Sequence, residues 1–556
     1  MTGQVRGTDI AGRPRAVAEL GAVALFLCAL TALVTWPQVR HLTAGVIDWG
    51  DPLLNSWTLA WVAHSLPAHS SQLLNANIFY PESGTLAYSE MLLVPGLLVA
   101  PVLWLGGNPI LAHNLLLLAG YVLSGLATYV LVRSLGPSRG AALVAAVVFT
   151  IYPYRIEQYP KVQLQLTWWI PLALWATHRL RAEPTIRRGL LVGVLAALQA
   201  YSCLYYGVFA IVPLAIAAAA TFMGAPRERR FAVARALAAA MVLAGVLCAP
   251  LVRPYAAAAR VVGERTPDEV KAWSAQPADY LRAHPDNAMY GNPADPGTGE
   301  RRMFPGAVAP LLGVAAFVPP VSTAAIAYLA VGLVSADLSL GFNGAGYGAL
   351  YKSVLPFRAL RVPARFAMIV GLALAVLSGF GVARLCRGRS QRAQLAIVTV
   401  AIALITLESR PRTLEIAELD DPAPAVYSWL ATQEPGVVCE YPVGNLQGRL
   451  VPQDATYMYY STRHWRPLVN GYSGFTPPSY RELTERLRDF PDDGSIAYLR
   501  ERGVTYLLVH SAFSLAYVRG DFEDFVSRLN ARPDVKRLGV FAWRGGGRTE
   551  VFRILR

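Results

Sequence analysis

The sequence predicts a mainly α-helical, polytopic membrane protein with a small C-terminal α/β domain. Hydrophobic residues make up 54% of the 556 residues and only 15% are charged, so several segments are apolar enough to span a bilayer. The net charge of +14 lies mostly in short arginine clusters between apolar runs. Such clusters are a topology signal and argue against a nucleic-acid partner. The five cysteines form neither a disulfide framework nor a CxxC metal pattern.

Apolar runs predict about eleven transmembrane helices. They lie near residues 16–36, 110–133, 139–153, 165–181, 188–204, 206–223, 232–251, 306–319, 321–341, 366–385 and 393–408. The first run follows Arg6, Arg13 and Arg15 and is too long for a cleaved signal peptide. We therefore expect a retained first helix and a cytoplasmic N-terminus.

The arginine clusters set the orientation of the later helices. The clusters expected on the cytoplasmic side are 133–139, 179–188, 227–235 and 384–392. Counting the run 91–106 as a span would place all of them outside, and two prolines break it. We assign this run to the first external loop, as a juxtamembrane or re-entrant segment. The protein is then a multi-pass protein of the plasma (inner) membrane with its C-terminus outside.

The chain after Ser409 changes character. It lacks long apolar runs, and alternating patterns at 437–441, 505–509 and 535–541 predict strands. Helical spacing recurs at 480–490 and 522–529. The predicted domains are a transmembrane domain at 1–410, which includes the first external loop 37–109, and an extracytoplasmic α/β domain at 411–556.

Two carboxylates, Asp48 and Asp51, stand at the start of the first external loop. One interpretation is a turn or a helix N-cap, since Gly-Asp and Asp-Pro favour both. The other is functional, because residues 53–66 are apolar on one face and are predicted to lie along the membrane interface. Carboxylates held there would meet both a lipid headgroup and a water-side acceptor. His64 of this segment is a candidate sugar contact.

The second external loop, residues 152–164, combines acid, base, amide and aromatic side chains. An aromatic belt with ordinary interfacial charges explains them. Alternatively, Glu157 and Gln158 bind an acceptor or a metal, Lys161 or Arg155 contacts a phosphate and Tyr154 contacts a sugar.

Three arginines, Arg358, Arg361 and Arg365, precede a helix on the side that the positive-inside bias leaves poor in arginine. Guanidinium groups suit phosphate oxygens, and this depth is where a lipid phosphate lies. The alternative is interfacial snorkelling.

The tail segment 457–475 is dense in aromatic and polar residues, including His464 and Tyr472. It is either a sugar-binding platform or the core of the tail domain.

These residues together resemble the GT-C superfamily of integral-membrane glycosyltransferases, such as the protein O-mannosyltransferases and lipid A aminoarabinose transferases. The resemblance covers roughly 1–410 and rests on layout: a first helix, a large external loop with an acid near its start, interfacial helices, many further spans and an external C-terminal domain. Asp48 or Asp51 matches the first-loop acid, and Glu157 matches the acid of the second loop. The chain departs in having Asp-x-x-Asp and a Glu-Gln followed by Lys.

The resemblance implies transfer of a sugar from a polyprenyl-phosphate donor to an unknown extracytoplasmic acceptor. Asp48 or Asp51 is expected as the general base, and one direct displacement would invert the sugar carbon. The residues expected to hold the phosphate are Arg358, Arg361, Arg365 and Lys161. The resemblance identifies no definite cofactor, and a divalent cation (Mg²⁺ or Mn²⁺) is a candidate. The alternatives are a non-catalytic GT-C-like lipid-binding scaffold and a transporter or flippase for a glycolipid.

Overall fold

The computed structural model describes residues 14–295, 299–412, 414–419, 423–444, 452–514, 521–543 and 546–555. Arg6 and Arg13 lie outside the described residues. The helices, in chain order, are α1 (Pro14–Val34), α2 (Asp51–Ala68), α3 (Leu93–Trp104), α4 (Pro109–Ser134), α5 (Arg139–Thr150), α6 (Tyr154–Glu157), α7 (Trp169–Arg179), α8 (Ile186–Ser202), α9 (Leu204–Phe209), α10 (Ile211–Met223), α11 (Arg227–Val262), α12 (Pro267–Ala272), α13 (Val308–Ala315), α14 (Thr323–Ser339), α15 (Tyr347–Ser353), α16 (Ala367–Cys386), α17 (Gln391–Ser409), α18 (Ala425–Ala431), α19 (Pro452–Ser461), α20 (Pro478–Arg486), α21 (Asp493–Glu501), α22 (Ser511–Ser514) and α23 (Phe522–Asn530). The strands are β1 (Gly45–Val46), β2 (Ala417–Glu418), β3 (Val437–Tyr441), β4 (Val504–His510), β5 (Val535–Ala542) and β6 (Arg548–Ile554).

Seven helical segments of the described chain are long and apolar enough to cross a membrane. They are Arg15–Val34, Pro109–Ser134, Arg139–Glu157, Leu204–Met223, Arg227–Val262, Pro363–Cys386 and Gln391–Ser409. Each coincides with a predicted span, which supports a mainly helical protein associated with a membrane. The other four predicted spans contain α7, α8, α13 and α14, which are 11, 17, 8 and 17 residues long. The figure of about eleven spans therefore stays a prediction.

The run 91–106 forms the short helix α3, of 12 residues. A helix rises about 1.5 Å per residue, so α3 is about 18 Å long. The hydrocarbon core of a bilayer is about 30 Å thick. Since α7 and α13 are shorter still and lie in predicted spans, the assignment of the run as a segment that does not span stays a prediction.

The structure divides the chain into two compact units. The first unit comprises residues 1–40, 115–250 and 264–414, and the second comprises 41–114, 251–263 and 415–556. The sequence suggested a division near residue 410, whereas the contacts group most of the first external loop with the tail. Each unit is described by itself below.

Helix α16 forms the core of the first unit, where it packs against α5, α13 and α14. Nearly all of its residues are buried. Its glycines permit the close packing: a Cβ at Gly381 would lie 1.7 Å from the carbonyl oxygen of Leu312, and one at Gly371 would lie 2.5 Å from the ring of Tyr152. Because no side chain intervenes at these positions, the backbone of α16 contacts its neighbours directly.

A second close contact in the first unit joins α8 to α11. Gly189 and Gly193 of α8 have the small-xxx-small spacing of many membrane helix pairs. A Cβ at Gly189 would lie 2.1 Å from the carbonyl oxygen of Ala236, and one at Gly193 would lie 2.6 Å from that of Ala240. The two glycines therefore set the separation of these helices.

The second unit contains a four-stranded sheet in the order β3-β4-β6-β5. Strands β3 and β4 are parallel, with Cys439 opposite Leu507, and the remaining pairs are antiparallel. The three predicted strands occur as β3, β4 and β5, and the two predicted helices occur as α20 and α23. Leu53 of α2 belongs to the same hydrophobic core as Val438, Leu508 and Val551. This core fixes the helix that begins at Asp51.

Candidate functional site

Arg155 holds the second external loop in place. Its side chain is wholly buried and donates to the carbonyl oxygen of Phe149 (2.8 Å), to Oε1 of Gln165 (3.2 Å) and to Oγ1 of Thr167 (2.8 Å). Since backbone and side-chain oxygens surround this cation, its role is to tie the turn after α5 to the segment before α7. The short helix α6, with Tyr154 and Glu157, is thereby held in a fixed position.

A buried carboxylate, Glu300, joins two of the predicted phosphate ligands. Arg365 donates to it through Nη2 (2.6 Å) and Nε (3.1 Å), and Nζ of Lys161 lies 3.1 Å from its Oε1. The backbone carbonyl of Glu300 also accepts from Tyr154 Oη (3.1 Å). Burial alone raises the pKa of Glu300, but the two cations outweigh it and hold the pKa well below its ordinary value. The structure thus brings Tyr154, Lys161 and Arg365 together around an ionised acid.

Glu157 lies beside this cluster with incomplete hydrogen bonding. Its Oε1 is 3.6 Å from Nη1 of Arg302, while its Oε2 is buried and forms no hydrogen bond within the described chain. Gln158 accepts from Nζ of Lys161 (3.3 Å) through Oε1, and its buried Nε2 is also unpaired. Buried polar atoms without partners are uncommon. These two neighbouring residues therefore retain capacity to bind a polar group.

Tyr205 connects Arg365 with a second basic group. Its ring centre lies 4.6 Å from the guanidinium of Arg365, and its hydroxyl accepts from the backbone N–H of Arg361 (2.9 Å). The guanidinium of Arg361 lies over the ring of Trp273 at 5.4 Å, and the buried Nε of Arg361 forms no hydrogen bond within the described chain. Arg361 is therefore held by aromatic contacts while one of its donors stays unused.

The carboxylate of Glu269 lies close to both Arg265 and Arg361. The distance to Glu269 Oε1 is 2.8 Å from Nη1 of Arg265 and 3.9 Å from Nη1 of Arg361. Burial and the nearby Arg361 cation lower the pKa of Arg265, and Glu269 opposes both effects. Guanidinium groups present donors that suit the oxygens of an anion such as phosphate.

The third predicted arginine, Arg358, is exposed and differs from the other two. Its Nε and Nη2 donate to the backbone carbonyls of Tyr351 (3.2 Å) and Lys352 (2.8 Å). Arg358 therefore caps the end of α15.

In the second unit, Asp48 and Asp51 lie at the turn that starts α2. Oδ1 of Asp48 accepts from the N–H of Gly50 (2.7 Å), and Asp51 is the first residue of the helix. A Cβ at Gly50 would lie 3.3 Å from the hydroxyl of Tyr472, so this tyrosine lies against the turn. Asp48 is exposed and Asp51 is half-buried. The turn interpretation thus describes the structural role of Asp48, and the catalytic interpretation stays a prediction.

Asn114 anchors the segment that leads to these carboxylates. Its Nδ2 donates to the carbonyl oxygens of Leu42 (3.0 Å) and Gly45 (2.8 Å). Gly45 then pairs with Glu418 in the two-stranded sheet of β1 and β2. The backbone segment 42–45, which precedes Asp48, is therefore held both by Asn114 and by strand β2.

The two histidines predicted as sugar contacts have different surroundings. His64 is half-buried and stacks on Trp465 at 4.4 Å, and burial together with His69 lowers its pKa. His464 stacks on the buried Tyr427 at 6.2 Å, and burial with the nearby Arg466 cation lowers its pKa to about 3. His464 therefore packs inside the second unit, whereas His64 and Trp465 form a partly exposed aromatic pair.

Comparisons with known proteins give limited information. No protein-family model matches the chain, and no curated protein matches it. Among solved structures it is similar to the crystal structure of the Archaeoglobus fulgidus oligosaccharyltransferase in the apo form. That similarity covers 88% of this chain and 69% of the other, with 13% sequence identity and a TM-score of 0.48.

The residues that complete both clusters were not predicted from the sequence. Arg265 lies before α12, Glu269 lies within α12, and Glu300 and Arg302 lie between α12 and α13. The run Gly-Glu-Arg-Arg at 299–302 places an acid and two arginines just before an apolar segment. This pattern is the feature of the sequence that could have indicated an ion cluster at the membrane interface.

The surroundings of Glu157 do not resemble a magnesium or manganese site. Within the described chain, no group of three or more His, Cys, Asp or Glu residues is placed to hold a metal ion. The charged group next to Glu157 is the cation of Arg302, whereas Mg²⁺ prefers several oxygen ligands. The divalent cation stays a prediction, and no step below depends on it.

Proposed function

We propose that the protein is an integral-membrane glycosyltransferase that moves a sugar from a polyprenyl-phosphate donor to an extracytoplasmic acceptor. The observation that carries this proposal is the basic group formed by Arg265 and Arg361, two guanidinium groups near the carboxylate of Glu269. In the sequence, Arg265 follows the membrane-compatible helix Arg227–Val262, and Arg361 precedes the membrane-compatible helix Pro363–Cys386. Guanidinium groups at the ends of such helices suit the phosphate of a lipid.

The basic group supplies what the departing phosphate requires. In the proposed reaction, the bond between the sugar carbon and the phosphate oxygen breaks, and its electron pair leaves with the phosphate. The guanidinium of Arg361, which already lies over the ring of Trp273, stabilises that charge without rearranging. Arg365 and Lys161 both pair with the buried carboxylate of Glu300, so we assign them a supporting role beside the phosphate rather than direct contact with it.

The proposed general base is Asp48 or Asp51. The acceptor hydroxyl transfers its proton to the carboxylate while its oxygen forms the new bond to the sugar carbon, with inversion. A positioned general base is worth about 10²–10⁴-fold in rate. The exposure of Asp48 and the partial exposure of Asp51 support access by an acceptor from water.

The test compares binding of the donor lipid with its turnover in membranes that carry single variants. Asp48→Asn or Asp51→Asn is expected to lower transfer by at least about 10²-fold and to leave donor binding intact. Arg361→Gln is expected to weaken donor binding and to slow transfer by about 10²-fold, as for the loss of one preorganised donor. Arg179→Gln is the matched control, because Arg179 also lies over a tryptophan, Trp175, at 5.4 Å.

Each outcome is decisive. Donor binding without turnover in the wild type would favour a lipid-binding scaffold. Movement of intact glycolipid across the bilayer, without sugar transfer, would favour a flippase. Equal transfer by wild type, Arg361→Gln and Arg179→Gln would remove the basic group from the proposal.

A further inference from the structure

A cleft of about 470 Å³ opens in the first unit between the starts of α1 and α5 and the side of α4. Its wall is formed by small and aliphatic side chains, among them Ala18, Ala22 and Leu143, and its edge carries Arg15 and Arg139. The volume lies in the range of about 300–1,000 Å³ that is typical of small-molecule sites. An apolar wall with a basic edge matches the two parts of a lipid.

The edge of the cleft is preorganised around one carboxylate. Glu19 accepts from the hydroxyl of Tyr129 (2.6 Å) and from Nε of Arg139 (2.7 Å), and Nε of Arg133 lies 3.5 Å away. The side chain of Arg139 is nevertheless 72% exposed. Arg15 is also exposed and lines the same cleft. Three arginines against one glutamate leave a net positive charge at this end of the helices.

We propose that this cleft binds the headgroup of an anionic phospholipid. Arg15 and Arg139 contact the headgroup phosphate, and the first part of an acyl chain lies along the apolar wall. Charge complementarity selects this occupant, because a zwitterionic lipid would satisfy the net positive charge less well. Of the three helices that line the cleft, α1 and α5 belong to membrane-compatible segments that start at Arg15 and Arg139, the depth at which lipid phosphates lie. This site is independent of the proposed transferase reaction.

The test measures lipid retained by the full-length protein, purified in detergent, by native mass spectrometry after exposure to equal amounts of phosphatidylglycerol and phosphatidylcholine. The wild type is expected to retain phosphatidylglycerol preferentially. Arg139→Gln and Arg15→Gln are each expected to weaken that retention about fivefold, as for one basic residue near the surface. Glu19→Gln is expected to strengthen it, since it releases positive charge. Arg187→Gln, an exposed arginine in the first turn of α8, is the matched control.

Glu19→Gln and the arginine variants are expected to change lipid retention in opposite directions, so the proposal can be tested even where one variant fails to fold. Arg15 makes no ion pair with any described residue that its replacement would break, so Arg15→Gln serves if Arg139→Gln is unstable. Equal retention of the two lipids by the wild type would overturn the proposal. So would an equal loss in Arg187→Gln, because the effect would then come from surface charge in general.

Discussion

At the scale of single residues, the buried acid Glu300 organises the loop cluster. From their chemistry and their predicted side of the membrane, the sequence indicated Lys161 and Arg365 as phosphate ligands and Tyr154 as a sugar contact. It did not identify Glu300, because a carboxylate more than a hundred positions along the chain from Lys161 pairs with it only through the fold. Charged partners that are distant in sequence leave no local periodicity to detect.

Replacing Glu300 by Gln is expected to destabilise the protein by about 3–5 kcal/mol. The change would leave the buried Arg365 and the half-buried Lys161 without their counter-charge, which is the costly way to break a buried pair. The measurement is thermal unfolding of the purified protein. The double variant Glu300→Gln with Arg365→Gln should lose less than the sum of the single losses. Unchanged unfolding of Glu300→Gln would show that the pair contributes nothing.

The same pair predicts a pH dependence. The pKa of folded Glu300 is held below its unfolded value of about 4.3, so the stabilisation is complete above that value. It is lost as the pH falls from about 5 towards the lower pKa of the folded protein. The wild type should therefore lose stability over this acidic range more steeply than Glu300→Gln. Parallel curves for the two proteins would contradict the assignment of an ionised Glu300.

At the scale of elements, helices and strands with a clear apolar pattern could be predicted from the sequence. A strand whose apolar pattern is interrupted by charged residues could not. Long apolar runs predicted seven segments that the structure also shows as membrane-compatible helices. Alternation predicted β3, β4 and β5. Strand β6 was missed although it lies in the interior of the sheet between β4 and β5, because Arg548, Glu550 and Arg553 interrupt its apolar pattern. Ion pairs such as that between Arg537 and Glu550 compensate for those charges.

The contact between α8 and α11 supplies a test at this scale. Gly193→Ala places a Cβ 2.6 Å from the carbonyl oxygen of Ala240, so the helices must move apart. We expect a loss of about 1–3 kcal/mol, typical of overpacking. Gly245→Ala in α11 is the matched control, since a Cβ there has no neighbour within 4 Å. The measurement is thermal unfolding of both variants. Equal stabilities would contradict the close contact between α8 and α11 at Gly193.

At the scale of the whole molecule, the sequence predicts an orientation that can be measured directly. Arg187 belongs to a cluster predicted as cytoplasmic, and Arg481 lies in the tail predicted as external; both side chains are exposed. Single cysteines at these positions, in a background without the native cysteines, should react with an impermeant thiol reagent from opposite sides of sealed vesicles. Labelling of both positions from the same side would contradict the predicted orientation of the helices and, with it, the assignment of the external loops.

The division of the chain into two units differs from the division that its composition suggests. Composition changes sharply after Ser409, and this change suggested a separate tail domain. The structure instead packs Leu53 of the first loop into the core formed by the tail strands. A hydrophobic residue in a membrane-rich sequence does not reveal whether it faces lipid or a protein core, so this grouping could not be predicted from composition.

The most direct test of the central proposal is turnover by the purified wild-type protein in liposomes. Labelled polyprenyl-phosphate sugars are supplied as a mixed pool with extracts that contain external acceptors. The account predicts that one donor is consumed, that free polyprenyl phosphate appears in equal amount, and that Arg361→Gln slows both while Arg179→Gln does not. If every donor remains intact while the protein is folded and still binds lipid phosphate, the protein is not a glycosyltransferase of this kind.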